Sequence, residues 1–393
     1  MKILVSGASI AGPAAAFWLN RAGHDVTLIE RAAQPRTAGQ NIDVRGPGRE
    51  VLRRMDLEAQ ALACNTGEIG ISFVDDSGVA LCRIPAGVGD SDGPTAALEI
   101  LRGELSRLLM ETLDGGVDVC FGQQISAIDE TGGGARVRFA DQRSEDFDLV
   151  VIAEGATSRT RTLVFGEVPH RELGLYTAYG TIARQRDDDL WWTWYTAPGG
   201  RTVNLRPDNK GTTRVALSFL SAPSDYEGQS LADQKATLRR IFQDAGWRVS
   251  AILDLIDGAD ELYLDYLTQV RTSSYSRGSV VLLGDAAWCA TPISGVGATL
   301  ALVGAYVLAG ELSEAGSVDD RLHAYQRTMQ TFVAPAHNLP PGAPRLAHPK
   351  TRLGVAALRT GLRIVGSRPV RALSAALPTR AALAPQLPSY AAL

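Results

Sequence analysis

The chain has 393 residues, a formal net charge of −4 and 45% apolar residues, enough for about two or three domains around a substantial core. No charge-free apolar run reaches the roughly 18 residues that a spanning helix needs, which argues against an integral membrane protein. The apolar stretch after Met1–Lys2 is too glycine-broken for a signal peptide, and four widely spaced cysteines (Cys64, Cys82, Cys120, Cys289) fit no zinc or disulfide framework, so a reducing cytoplasm is expected.

In chain order, Lys2–Ser6 reads as a buried strand, Pro13–Arg21 as a helix and Val26–Glu30 as a second strand, a βαβ opening. Val51–Met55 and Leu57–Leu62 read as helix after a glycine–proline turn, and Ile71–Val74 with Ala80–Ile84 as a hairpin around Asp76-Ser77-Gly78. Leu101, Leu105, Leu108, Leu109 and Leu113 recur at helical spacing, which predicts an amphipathic helix over 101–113. Strands follow at Val117–Phe121, Ile125–Asp129, Arg136–Ala140 and Asp148–Ala153. Residues 173–220 read as strand after strand, Leu231–Phe242 as a helix, Ser279–Leu283 as a buried strand and 296–314 as a long helix. Residues 350–385 are helical in pattern but broken by Pro369 and Pro378.

Strand–helix units flanking a β-rich middle predict an α/β protein. Its Rossmann-like nucleotide domain would be assembled from residues 1–70, 101–167 and 271–335. An inserted, mainly antiparallel β-sheet domain would take 71–100 and 168–270, with C-terminal bridging helices over 336–393. Beyond Asp320 there is no acidic residue and ten Lys or Arg, leaving about −14 on residues 1–320; this reads as a basic helical segment packed on an acidic body.

Gly7-Ala8-Ser9-Ile10-Ala11-Gly12 lies between the first strand and the first helix. Glycines there permit a tight turn and close backbone approach, and the helix start offers free N–H groups and a positive dipole end to a pyrophosphate. Glu30, followed by Arg31, ends the second strand 18 residues after Gly12, where a carboxylate suits a ribose hydroxyl. Ser9 replaces the usual middle glycine and is small enough for the cradle. The pattern signals a dinucleotide without separating NAD from FAD.

Two further motifs separate them. Residues 148–161 read Asp148-Leu149-Val150-Val151-Ile152-Ala153-Glu154-Gly155-Ala156-Thr157-Ser158-Arg159-Thr160-Arg161, and residues 284–288 read Gly284-Asp285-Ala286-Ala287-Trp288, followed by Pro292 and Gly295-Val296-Gly297. Together with the opening motif they resemble the single-component FAD-dependent aromatic hydroxylases, the family with the para-hydroxybenzoate hydroxylase fold, whose short members include tetracycline-inactivating monooxygenases. The resemblance covers roughly residues 1–330. It implies bound FAD, with Glu154 and Gly155 near the cofactor and Asp285 on the ribityl chain. Arg102 would reach the flavin or its phosphates, and Pro292 would lie beside the isoalloxazine. Backbone N–H groups from Gly295 to Gly297 could then stabilise negative charge on reduced flavin.

Gly39-Gln40-Asn41-Ile42-Asp43-Val44-Arg45-Gly46 resembles the family segment on the substrate side of the flavin, which makes Asp43 and Arg45 candidates there. The chain departs from the family at Glu154 (usually Asp), Trp288 (often His) and Thr299 (often Asn), and Trp288 would narrow the pocket. No second glycine-rich βαβ serves NAD(P)H, which in this family binds transiently.

Trp191-Trp192-Thr193-Trp194-Tyr195 concentrates the aromatics. On a strand Trp192 and Trp194 share one face, Trp191, Thr193 and Tyr195 the other, and the first pair is a candidate surface for a flat substrate. No metal site is expected from the five scattered histidines. In the C-terminal segment Leu358, Leu362 and Val365 form an apolar stripe with Arg352, Arg359 and Arg363 on another face.

The sequence thus predicts a cytoplasmic FAD- and NAD(P)H-dependent monooxygenase, monomer or homodimer, without nucleic-acid partners. It would use molecular oxygen to hydroxylate an aromatic or polycyclic, phenolic or polyketide-type molecule through a flavin C4a-hydroperoxide. Pro292, Gly295 and Arg45 are the catalytic candidates. Antibiotic inactivation by the same chemistry is an alternative expectation. So are an FAD-binding accessory protein and a dehydrogenase without oxygen insertion.

Overall fold

The computed structural model describes residues 1–35, 39–86, 95–113, 115–223, 226, 228–339, 342–367 and 385–393. The chain opens with β1 (Lys2–Ser6), α1 (Ala11–Arg21) and β2 (Asp25–Glu30), then β3 (Asn41–Val44), α2 (Gly46–Arg54) and α3 (Glu58–Ala63). A hairpin, β4 (Gly70–Val74) and β5 (Ala80–Pro85), precedes β6 (Leu98–Leu101), α4 (Arg102–Glu111) and β7 (Asp118–Phe121). Three short antiparallel strands follow, β8 (Ile125–Thr131), β9 (Gly134–Phe139) and β10 (Ser144–Phe147), then β11 (Leu149–Ile152) and α5 (Arg159–Phe165). The aromatic region forms β12 (His170–Ala183), β13 (Trp192–Ala197), β14 (Arg201–Pro207) and β15 (Thr212–Leu220). Next come α6 (Leu231–Phe242), α7 (Val249–Asp257), β16 (Leu262–Val270), β17 (Ser276–Arg277) and β18 (Val280–Leu282). The remaining helices among the described residues are α8 (Asp285–Trp288), α9 (Gly297–Ser313), α10 (Val318–His337) and α11 (Arg352–Val365).

Strands from distant parts of the sequence share one sheet in the order β17-β18-β11-β1-β2-β7. The contacts from β18 through β7 are parallel, and β11 is buried along its whole length, as expected of a strand covered on both faces. α9 is apolar on every side and nearly all buried, and it packs against α1. These elements and α10 enclose the larger core. The α/β class read from the sequence is therefore seen, with the nucleotide-type sheet drawn from separated segments.

A second sheet runs β16-β12-β15-β14-β13-β4-β5, antiparallel except between β13 and β4. Alternation along its strands gives it two chemically distinct faces. One carries Tyr176, Leu217, Val203 and Tyr195 and is sealed by Leu238, Phe242 and Ile252 of α6 and α7. The other carries Tyr179, Asn204, Arg206, Trp192, Trp194 and Phe73. The predicted split of the tryptophan run between two faces is observed.

Several elements differ from the sequence reading. α2 begins at Gly46, five residues before the predicted start, because Pro47 in the first turn suits a helix N-terminus rather than ending a turn. β3 and β6 pair antiparallel as a four-residue ribbon, too short to show a period. The predicted helical pattern over 350–385 holds for α11; residues 368–384, with Pro369 and Pro378, lie outside the described residues. Trp288 does not narrow a pocket: its ring is buried against Tyr275 and Tyr325, in space left by Gly304, where a Cβ would come within 2.8 Å of it.

α11 lies against β5 and β13. Arg359 leaves the face assigned to it and donates two 2.7 Å hydrogen bonds to Asp76, which also accepts from Tyr195 at 2.8 Å. The Arg359 hydrogen bonds hold the Asp76 carboxyl down at about 2. A depressed carboxyl stabilises above its unfolded value, about 3.9, and that contribution disappears as pH falls through the folded value. Asp76→Asn is thus expected to loosen α11 at neutral pH, as faster proteolysis near Arg359, and to abolish the loosening that the wild type shows between about pH 4 and 2. Further on, Tyr390 fills a notch at Gly310 and donates to Glu311 at 2.9 Å, docking residues 385–393 on α9.

Candidate active site

At the end of β1 the backbone turns under two steric constraints. Gly7 has φ of 109° and passes Ala153 so closely that a Cβ would lie 2.5 Å from its carbonyl oxygen. Gly12 meets the Gly7 carbonyl oxygen in the same way, at 1.8 Å. α1 then starts at Ala11 with no side chain capping it, which leaves N–H groups of its first turn for an anion. Ser9 and Ile10 complete this cradle. Over it lies Arg102, whose Nε and Nη2 donate to Ser9 Oγ at 3.2 and 3.0 Å.

Glu30 stands at the adjoining strand end. Its two carboxylate oxygens accept from Ala8 N and Ala32 N, both at 2.9 Å. Arg31 beside it is exposed. On the other side Asp285 opens α8 after Gly284, which has φ of 64°. Asp285 faces open space in the cleft, yet protein surrounds it. Loss of bulk solvation raises its pKa while the nearby Arg102 pulls it down. Gly12, Glu30, Arg102 and Asp285 therefore border one cleft.

The 292–297 segment forms another wall. Thr291 has φ of 72°, a conformation rarely tolerated outside glycine, and its buried hydroxyl has no partner. Pro292 and Gly295 are exposed there, and nothing lies within 4 Å of a Cβ built on Gly295 or Gly297. α9 starts after Val296 without a side-chain cap. Thr299 Oγ1 accepts from Arg45 N at 2.9 Å, tying this helix start to β3.

Glu154 holds the frame of the cleft. Its carboxylate accepts from Ser6 Oγ at 2.6 Å, Ser158 Oγ at 2.7 Å and Thr160 Oγ1 at 2.7 Å, with Thr160 N at 3.3 Å. Gly155 follows with φ of 86°. Ser158 caps α5 by accepting from Arg161 N at 3.0 Å, and buried Arg161 reaches Ala286 O at 3.1 Å. The three sequence motifs are thus joined by direct hydrogen bonds.

The open face of the antiparallel sheet completes the cleft, meeting the β3–β6 ribbon where Asn41 Nδ2 donates to Pro207 O at 2.9 Å. Trp192 and Trp194 lie 5.0 Å apart with their rings tilted by 53°, and Tyr179 stacks on Tyr263 at 5.1 Å. Tyr263 is half exposed, and the protein around it pushes its hydroxyl up to about 12. Asp43 pairs with Arg45 at 2.6 Å. Sequence reasoning missed Tyr179, Tyr263 and a cluster of Glu68, Glu99 and Arg206 behind Asp43; the one available signal was a charged residue, Arg206, on the same strand face as Trp192. A separate groove of about 460 Å³, with Asp188, Trp191 and Trp247, lies elsewhere on the sheet and is lined by none of Trp192, Trp194, Tyr179 and Tyr263. Among the described residues no group of His, Cys, Asp or Glu could hold a metal ion, and no helix is long and apolar enough to cross a membrane.

The cleft's donor set fits an adenine dinucleotide: a carboxylate for a ribose, an uncapped helix start and an arginine for a pyrophosphate, and a second uncapped helix start beside open space. Comparison with known proteins agrees. Residues 1–337 match the family model described as FAD binding domain. An uncharacterised protein of Mycobacterium tuberculosis, Rv1260, is 37% identical over 358 residues, 87% of this chain and 94% of that protein. The flavin-dependent monooxygenase eupH of Phoma sp is 34% identical over 389 residues, 92% of this chain and 90% of that one. Among solved structures, the tetracycline destructase Tet(51) superposes with a TM-score of 0.78 at 29% identity, covering 99% of this chain and 98% of that one.

Proposed function

The chain belongs to the FAD-binding flavoprotein monooxygenase family and is an FAD-dependent monooxygenase, and on that premise we propose that it hydroxylates an aromatic or polycyclic small molecule at the expense of NAD(P)H and molecular oxygen. One observation carries the substrate class: the sheet face turned away from α6 and α7 gathers Trp192, Trp194, Phe73, Tyr179 and Tyr263, none of them fully buried. Flat rings stack on such a surface, each aromatic pair contributing about 0.5–1.5 kcal/mol.

In this reading the cradle of Ser9, Ile10, Ala11 and Gly12, with Arg102, binds the pyrophosphate of FAD. Glu30 takes a ribose, with Arg31 at the adenosine edge, and Asp285 hydrogen-bonds the ribityl chain. Bound FAD supplies the redox chemistry, taking electrons from the nicotinamide and activating oxygen. The protein's own part is electrostatic and geometric. The uncapped start of α9 at Val296 and Gly297, set by the turn in which Gly295 N donates to Pro292 O at 3.1 Å, would stabilise negative charge on reduced flavin as a preorganised dipole. Pro292 would shape the wall beside the flavin ring. Arg45 and Asp43 border the substrate side. Glu154 and Gly155 act by holding the frame, since all of the Glu154 acceptor capacity faces protein donors.

Purified protein with FAD is expected to consume NADH or NADPH faster when a phenolic polyketide substrate is present, with one atom of labelled oxygen gas in the product. Consumption that no member of a broad phenolic panel stimulates would overturn the reading. Stimulation without label would leave a dehydrogenase. The likeness to Tet(51) favours a second reading, inactivation of a tetracycline-type antibiotic by the same chemistry. Expression in a sensitive host should then raise tolerance, and unchanged tolerance removes it.

A further inference from the structure

Behind Asp43, in the seam between the β3–β6 ribbon and the antiparallel sheet, three carboxylates converge on one arginine. The guanidinium of Arg206 lies 4.0 Å over the Trp192 ring. Its Nε is 2.9 Å from Glu68 Oε2, and its Nη2 is 2.9 Å from Glu99 Oε2 and 3.5 Å from Asp43 Oδ1. The Asp43, Glu68 and Glu99 side chains are 9%, 0% and 2% exposed, so water does little to shield them. Arg45, on Asp43, is the second cation. The neighbouring Arg214 is matched by its own partner, Asp208, at 3.0 Å.

Among the described residues, three buried carboxylates face two cations, an excess of one negative charge that costs several kcal/mol unless a proton is kept. The contact between Glu68 and Glu99 is where that proton is kept. Glu99 accepts from Thr66 Oγ1 at 2.9 Å and from Asn41 Nδ2, so it serves as an acceptor. Glu68 contacts Glu99, and burial raises its pKa well above the usual carboxylate range. Glu68 also accepts from Arg206, so the two carboxyls share the proton across their contact.

We propose that Arg206 is a positioning residue: held by the Glu68–Glu99 pair, it anchors Asp43 from the sheet side and so fixes β3 and the Arg45 side chain at the cofactor cleft. This rests on the reading of that cleft as the FAD site. Arg45 is then set by two anchors, its backbone by Thr299 at the start of α9 and its side chain by the sheet. Because Arg206 also stacks on Trp192, the same guanidinium meets the surface offered to substrate. Lysine could not replace it fully, having no planar fork to span several carboxylates.

The test uses the full chain reconstituted with FAD and four variants, Arg206→Gln, Arg206→Lys, Asp43→Asn and Glu68→Gln. Arg206→Gln should weaken oxidised FAD about tenfold and change the ratio of oxidised to reduced affinity by a similar factor, a shift of about 30 mV in the two-electron midpoint. Asp43→Asn should reproduce that shift, and Arg206→Lys should recover part of it. Glu68→Gln, which keeps a hydrogen where the proton sits, should stay close to wild type. A lower melting temperature of the apoprotein with an unmoved midpoint would reduce Arg206 to a structural ion pair and overturn the proposal. Should Arg206→Gln not fold, Arg206→Lys and Asp43→Asn carry the same comparison. Wild type that binds no FAD would instead overturn the reading of the cleft itself.

Discussion

A Gly12→Val variant is expected to purify without its yellow cofactor. A side chain at this position meets backbone and nothing that can swing aside: the new Cβ would lie 1.8 Å from Gly7 O and 3.0 Å from Gly7 C. The turn cannot yield locally, because Gly7 is itself pressed against Ala153 and its N–H is bonded to Ile29 O at 2.8 Å. Relief must come from α1 moving away from β1, which carries the N–H groups of its first turn out of register with a pyrophosphate. An anion site built from oriented N–H groups depends steeply on their placement. Affinity for FAD should fall on the order of 100-fold, roughly 2.7 kcal/mol. Flavin absorbance of the purified protein and titration of the apoprotein measure it. Retention of FAD within a few-fold of wild type would show that the cradle is not where the pyrophosphate sits.

How much of this was legible in the chain depends on the range of the signal. Gly7 and Gly12 could be read because a tight turn between a strand and a helix is a local demand, satisfied by residues close in sequence, and Glu30 because it ends the strand that follows that helix. The face assignment of Trp192 and Trp194 followed from strand period alone and matches the observed sheet. Neither inference required knowing what lies across the fold. The Arg206 cluster was hidden for the opposite reason. Asp43, Glu68, Glu99 and Arg206 come from four separate segments, and each alone reads as an ordinary surface charge. Trp288 failed differently. Its motif places it three residues after Asp285, yet its ring lies in the core, in the space made by Gly304 on α9, which the motif does not reveal. Thr299 shows a milder form of this: its value lies in a hydrogen bond to Arg45, 254 positions away.

The Glu154 carboxylate makes the last point testable. A carboxylate in this motif invites a direct role at the cofactor, yet its oxygens are engaged by Ser6, Ser158 and Thr160. Glu154→Ala would strand three hydroxyls at a partly buried site and remove the brace between the end of β1 and the start of α5. Each lost partner leaves a desolvation penalty of about 1–3 kcal/mol where water cannot enter, so a destabilisation of roughly 3 kcal/mol is expected in urea unfolding. The damage should spread to cofactor affinity indirectly, through Ser158, Arg161 and the Ala286 carbonyl beside Asp285. Glu154→Gln should cost less, because the hydroxyls can rotate to accept from its amide as well as donate to its oxygen. Glu154→Asp should fall between, keeping the charge but not the reach to both Ser6 and Ser158. The order of the three variants in stability is the discriminating result. If instead all three keep wild-type stability and lose only FAD affinity, then Glu154 acts on the cofactor directly and its bonds to Ser6, Ser158 and Thr160 do not brace the fold.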